Sequence, residues 1–182
     1  MMARTAASTQ DKVPHESKAA LEEWAQKFGF TPNMISSMAQ SPIALNAWAA
    51  FLGSLNKALD VKTRDSIGLA VSEVNRCNYC LTVHSYTAEH VAKLSEDEII
   101  LARHGFAGES KRDVAVQLAH KIIETRGKVS DEDLNKVREA GYFDANIMEI
   151  VALVAQYSMA NFFNNAFDTD RDFSPVTPAG LI

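Results

Sequence analysis

Apolar residues recur every three or four positions along most of the chain, and period-two alternation is nowhere sustained. Ala19, Ala20, Trp24 and Phe28 predict a helix from His15 to Phe28, and Gly29 is placed to stop it. Thr31-Pro32 and Ser41-Pro42 read as two further starts, each a capping side chain followed by proline at the first helical position. Met34, Ile35 and Met38 form the inner side of the first. Leu45, Trp48, Phe51, Leu52, Leu55 and Leu59 form that of the second. Thr63 is expected to open a helix carrying Ile67, Ala70, Val71 and Val74. Another helix runs from the cysteines to about Ala92. Ser95 to Glu98 reads as a capping box, with Gly105 ending the short helix behind it. Val114, Leu118, Ile122 and Ile123 mark a helix that closes near Gly127. Ser130 to Asp133 caps the next, which Gly141 ends. The last helix is the most apolar: Ile147, Ile150, Val151, Val154, Tyr157 and Phe162, with the stripes through Trp48 and Phe162 taken as core. Strand signals are absent, so the expected fold is all-α with eight or nine helices. One domain is expected over residues 15–170, between a small, polar arm at 1–14 and an irregular, proline-containing tail at 171–182.

Composition narrows the class of function. With 182 residues, 47% of them hydrophobic, the chain can bury a single sizeable core. A net charge of −5 without any basic run argues against nucleic-acid binding. No apolar run approaches the ~20 residues that cross a bilayer. The first residues lack the apolar stretch of a secretory signal, so a cytoplasmic protein is expected.

The chemistry concentrates at Cys77-Asn78-Tyr79-Cys80-Leu81-Thr82-Val83-His84, which holds both cysteines of the chain. On a helix, positions i, i+3 and i+7 share a face, so both sulfurs and the imidazole are expected along one edge. A helix start favours thiolate, and His84 is placed to take the Cys80 proton. A carboxylate would orient the histidine; the candidates are Asp65 and Glu73. Once Cys80 is oxidised to a sulfenic acid, Cys77 is near enough to condense with it to a disulfide. A zinc site built from Cys77, Cys80, His84 and a carboxylate is the competing reading. It lacks the second ligand pair of structural zinc sites, because His15, His90, His104 and His120 form no such pair. For Tyr79, Tyr86, His104 and His120, packing or surface roles are the ordinary expectation.

The run Arg64-Asp65-Ser66-Ile67-Gly68-Leu69-Ala70-Val71-Ser72-Glu73-Val74-Asn75, leading into Cys77-x-x-Cys80-x-x-x-His84, resembles the alkylhydroperoxidase AhpD-like superfamily. That superfamily includes the carboxymuconolactone decarboxylases. Ser72-Glu73-Val74-Asn75 and Asn161-Phe162-Phe163-Asn164-Asn165 are similar to its peroxidase-related branch. The clear likeness covers about residues 45–105. It implies an all-helical fold, assembly into trimers or hexamers, and reduction of hydrogen peroxide or organic hydroperoxides through a dithiol/disulfide cycle. Electrons would come from a thiol donor, a lipoyl protein or another small dithiol, and no cofactor or metal is implied. The resemblance makes Cys80 the attacking thiol, Cys77 the resolving one and His84 part of a proton relay. The relay glutamate of the family falls on Asp65, which keeps the charge and loses reach; Glu73 is the alternative. Tyr79 stands where the best-known peroxidases carry histidine. Activity of the decarboxylase type is disfavoured, because that branch does not rely on a cysteine pair.

Overall fold

The computed structural model describes residues 13–173. Among them are nine α-helices and no strand: α1 (His15–Phe28), α2 (Asn33–Met38), α3 (Pro42–Leu55), α4 (Val61–Val74), α5 (Asn78–His90), α6 (Glu96–Arg103), α7 (Ser110–Thr125), α8 (Asp131–Glu139) and α9 (Asp144–Phe167). The all-α expectation therefore holds. The expected arm and tail fall mostly outside the described residues. Their described ends are packed: Val13 is buried, and Asp172 and Phe173 make the contacts given below.

Helix starts follow the local chemistry. Ser41 accepts the Ala44 N–H, and Ser95 and Ser130 each form a capping box with the residue three positions on. Gly29 closes α1 at φ 77°, a conformation that costs glycine little. Two starts differ from expectation. Helix α4 begins at Val61, because Asp60 is the cap and accepts the Thr63 N–H at 3.0 Å. Helix α2 begins at Asn33 and has no cap from its own flank. Its Asn33 N–H donates instead to the Asp172 carboxylate at 3.1 Å, from the other end of the chain.

Helix α4 is the central element, packed against α5, α6, α7 and α9. Every residue from Ser66 to Ser72 is buried, so the helix is enclosed on all sides. Its outer neighbours form three apolar clusters. The largest joins α4, α7, α8 and α9 through Ile67, Val71, Val116, Val137 and Ile150. A second joins α1, α2 and α3 to the cysteines and Ala160 of α9. The third lies between α4, α5 and α6, around Leu69, Leu81 and Ala102. At roughly 1.5–3 kcal/mol per fully buried aliphatic side chain, such clusters dominate the favourable side of folding.

Helix α9 is only half a core helix. Ile147, Ile150, Leu153 and Val154 turn inward, whereas Val151 and Phe162 are 48% and 58% exposed. Phe162 therefore does not join the core, in contrast to Trp48, which is buried. Its neighbours Asn161 and Asn164 take the inward face instead. No helix among the described residues is long and apolar enough to cross a membrane.

Candidate active site around Cys80

The turn between α4 and α5 sets the position of both thiols. Arg76 adopts φ 51°, a left-handed conformation that costs a non-glycine residue about 1–2 kcal/mol. Hydrogen bonds hold it there: the Arg76 N–H donates to Glu73 O and the Cys77 N–H to Ser72 O, both at 2.9 Å. Helix α9 clamps the same turn. Asn75 donates its amide to Asn161 Oδ1 at 2.9 Å, and Asn165 donates to the Asn75 carbonyl at 2.8 Å. Asn161 in turn donates to Ser72 Oγ at 3.1 Å. The amide-rich ends of the two motifs thus fasten the cysteine turn to the last helix.

Cys77 is the N-cap of α5 and is wholly buried; its sulfur accepts the Cys80 N–H at 3.3 Å. Cys80 lies in the first turn of α5, also buried, and both thiols are free. Asn164 donates to the Cys80 sulfur at 3.3 Å. Burial opposes ionisation of Cys80. Hydrogen bonding from Cys77, the charge of His84 and the amides of Asn161 and Asn164 outweigh it, bringing the thiol down to about 7. Cys77 moves the opposite way: its hydrogen bond to Cys80, its burial and the Cys80 charge all hold it protonated. The pair is therefore divided into one acidic thiol and one inert thiol.

His84 lies one turn beyond Cys80 on α5. Its ring meets the Tyr157 ring edge-on, with centroids 5.0 Å apart, and rests on Gly68 of α4. Tyr157 is anchored by its hydroxyl, which donates to the Arg64 carbonyl at 3.1 Å. Asp65 Oδ1 stands 3.8 Å from His84 Nδ1, near enough for charge attraction and too far for a hydrogen bond. The same oxygen accepts the Thr87 hydroxyl at 3.0 Å. Glu73, the other carboxylate singled out in the sequence, is directed to α6, where Arg103 Nε donates to it at 2.8 Å. The structure thus brings Cys77, Cys80, His84 and Asp65 together, and joins Glu73 to a mostly buried ion pair.

Cys80 and His84 open onto a cavity of about 430 Å³. Its walls come from Trp24 and Phe28 of α1, Trp48 and Leu52 of α3, Val83 of α5 and Ala160 of α9, with Phe30 and Phe173 beside them. Cys77 is not among them. Tyr79, between the cysteines, packs as expected: its hydroxyl accepts the Met34 N–H and donates to Asp172. Burial and the neighbouring Asp172 raise the Tyr79 phenol well above its ordinary value, and burial pushes the Asp172 carboxyl up. Phe173 stacks on Tyr86 at 4.4 Å, so the segment after α9 forms one wall of the cavity.

Several residues that shape this site carried little signal in the sequence. Asn164 and Gln156 sit on a long, largely apolar helix, where a buried amide is out of place; that mismatch is the available clue. Gly68 lay inside the resembling motif without a stated reason. Asp172 lay in the segment taken as tail. Among the described residues, no group of three or more His, Cys, Asp or Glu is arranged to hold a metal ion.

Residues 42–112 match the model of the carboxymuconolactone decarboxylase family. No curated protein matches the chain by sequence. Among solved structures, the alkylhydroperoxidase AhpD core of an uncharacterized peroxidase-related protein from Ralstonia eutropha JMP134 superimposes with a TM-score of 0.85. It is 21% identical, over 94% of this chain and 93% of that one. An uncharacterized peroxidase-related protein from Silicibacter sp. TM1040 gives a TM-score of 0.79 at 20% identity, over 96% and 92%. The debrominase Bmp8, as a cysteine-to-alanine variant in complex with 2,3,4-tribromopyrrole, gives 0.76 at 18% identity, over 92% of each chain. Residues 42–112 are thus similar to the carboxymuconolactone decarboxylase family, and the fold of the described residues is that of the peroxidase-related structures.

Proposed function

We propose that the protein is a thiol-dependent peroxidase of the alkylhydroperoxidase kind, reducing hydrogen peroxide or organic hydroperoxides through Cys80 and Cys77. The observation that carries this reading is the division of the pair. Cys80 has its thiol lowered to about 7 and faces a cavity, while Cys77 is held protonated behind it. The Cys80 thiolate attacks a peroxide oxygen; an S–O bond forms and the O–O bond breaks. His84, holding the proton taken from Cys80, returns it to the leaving oxygen, which departs as water or alcohol. The sulfenic acid on Cys80 then condenses with the Cys77 thiol, releasing water and leaving a disulfide. A dithiol donor, a lipoyl protein or a similar small dithiol, restores both thiols in the expected cytoplasmic setting. Asp65 orients His84 through charge, and Glu73 stays with Arg103.

Self-association, into trimers or hexamers, belongs to the same proposal. Exposed apolar side chains on α9 and at its start, Phe143, Met148, Val151 and Phe162, favour it. Light scattering on the purified protein tests it.

The decisive experiment is stopped-flow reduction of peroxide with a dithiol donor, wild type beside Cys80→Ser. Equal turnover by the two defeats the assignment. A decarboxylase-type activity on a cyclic lactone acid, the alternative within the superfamily, would survive loss of both cysteines. A zinc-binding or redox-sensing protein would carry one metal per chain and unreactive thiols.

A further inference from the structure

At the C-terminal end of α9 the chain folds back on itself and gathers three oxygens that nothing around them satisfies. Asp168 closes the helix at φ 50°. Its N–H and that of Thr169 both donate to the Asn164 carbonyl, the latter at 3.2 Å. The turn thus sets Asn164, Asp168 and Thr169 together. Asn164 is 3% exposed and Thr169 9%. Among the described residues, Asn164 Oδ1, Asp168 Oδ2 and Thr169 Oγ1 are buried and have no hydrogen-bond partner. The Asn164 amide cannot be turned over to relieve this. Its Nδ2 donates to the Ala160 carbonyl at 2.9 Å and to the Cys80 sulfur at 3.3 Å, which fixes Oδ1 as the unsatisfied end. Burying one unpaired polar atom is costly, and three at one turn call for a common partner.

All three residues line a cavity of about 380 Å³. Asn78 and Tyr79 of α5, with Asp170 and Arg171 beyond α9, supply further walls. Among the described residues it shares only Tyr79 with the cavity at Cys80. The partner that suits the three oxygens is a cation that donates hydrogen bonds. Asp168 contributes a carboxylate, and the C-terminal end of a helix favours positive charge. A primary ammonium carries one positive charge and three N–H donors, one for each oxygen. A hard metal ion suits the site less well, because calcium gathers about six to eight oxygens and would occupy a small part of this volume. The walls are polar, so the body of the ligand is polar too.

We propose that this cavity binds a small, polar primary amine, whose ammonium donates to Asn164 Oδ1, Asp168 Oδ2 and Thr169 Oγ1. The site is separate from the thiol chemistry, and binding there stands or falls independently of the peroxidase reading.

The test is an NMR titration of the full chain with ethanolamine, choline and calcium, following the backbone amides of Asp168 and Thr169. Choline keeps the charge and hydroxyl of ethanolamine and has no N–H. Saturable shifts with ethanolamine are expected at both amides, with choline binding at least tenfold more weakly. Asp168→Asn removes the charge and keeps a residue that tolerates the left-handed backbone. It is expected to weaken ethanolamine binding at least tenfold. Thr169→Val keeps the side-chain shape, removes the oxygen and is expected to weaken binding several-fold. The comparison of ethanolamine with choline on the wild type needs neither variant to fold. Equal binding of the two amines, or an affinity unchanged in both variants, overturns the proposal. Calcium binding in preference to the amine overturns it in favour of a metal site. The absence of a saturable shift with any probe overturns it in favour of water alone.

Discussion

Gly68 on α4 lies directly beneath the imidazole of His84 on α5: a β-carbon at Gly68 would meet ring atoms Cε1 and Nδ1 at 3.0 Å. That spacing is tighter than ordinary contact, so any side chain there must move the ring. Gly68→Ala gains about 1 kcal/mol of helix propensity, against an overpacking cost of about 1–3 kcal/mol. The net change in stability is therefore small. Activity is expected to fall about tenfold or more, because His84 is pushed from its place between Gly68 and Tyr157. Thermal melting beside peroxide turnover separates the two effects.

The division of the thiols has a pH signature. Cys80 is lowered to about 7, so its thiolate fraction rises as pH rises through 7. Its alkylation rate is expected to climb about tenfold per unit below that point and to level off above it. In Cys77→Ala the sulfur that hydrogen-bonds Cys80 is gone. The midpoint then moves to higher pH, and the rate at pH 7 drops several-fold. Iodoacetamide kinetics across pH 5–9 provide the check; an unmoved midpoint would show that Cys77 does not stabilise the thiolate.

Asn164 makes the same point from another helix. Its amide donates to the Cys80 sulfur and the Ala160 carbonyl. Asn164→Leu keeps the volume and removes the donor. The Cys80 midpoint is expected to rise, and the folded protein to lose about 1–2 kcal/mol of stability. The same alkylation series and a urea titration measure both.

The 3.8 Å gap between Asp65 and His84 suggests a gain as well as a loss. Asp65→Glu adds one C–C bond, about 1.5 Å of reach, enough to bring the carboxylate to hydrogen-bonding distance. A several-fold rise in kcat/KM is expected, and Asp65→Asn should lower it by a similar factor. Stopped-flow peroxide reduction decides; a rate insensitive to both changes would remove Asp65 from the relay.

Glu73→Gln should act on the fold and not on the chemistry. The Glu73–Arg103 pair ties α4 to α6 in a mostly buried setting. Losing the carboxylate is expected to cost about 2 kcal/mol, while turnover per folded molecule stays near wild type. A loss of turnover in folded protein would instead return Glu73 to the proton relay.

Much of this was legible along the chain, for a physical reason. Helix starts at Ser41, Ser95 and Ser130 depend on side chains bonding N–H groups three residues away, so a local reading suffices. The juxtaposition of Cys77, Cys80 and His84 is likewise local, because one helix carries the last two and begins at the first. A local reading starts α2 one position early, because the N–H at its start is bonded by Asp172, 139 residues on. Periodicity places Phe162 in the core, but both faces of α9 hold apolar residues and only packing chooses which face turns inward.

By itself the sequence determined the helical class, most helix boundaries and the thiol–imidazole order on α5, since each follows from contacts within a few residues. Only the tertiary structure decided which carboxylate stands by His84, since Asp65 and Glu73 ride the same helix and differ in what α5 and α6 bring against them. It also decided the acidity of Cys80 and the presence of a cavity at its sulfur. Those depend on amides of α9 and aromatic rings of α1 and α3, brought together by packing across the whole length of the chain.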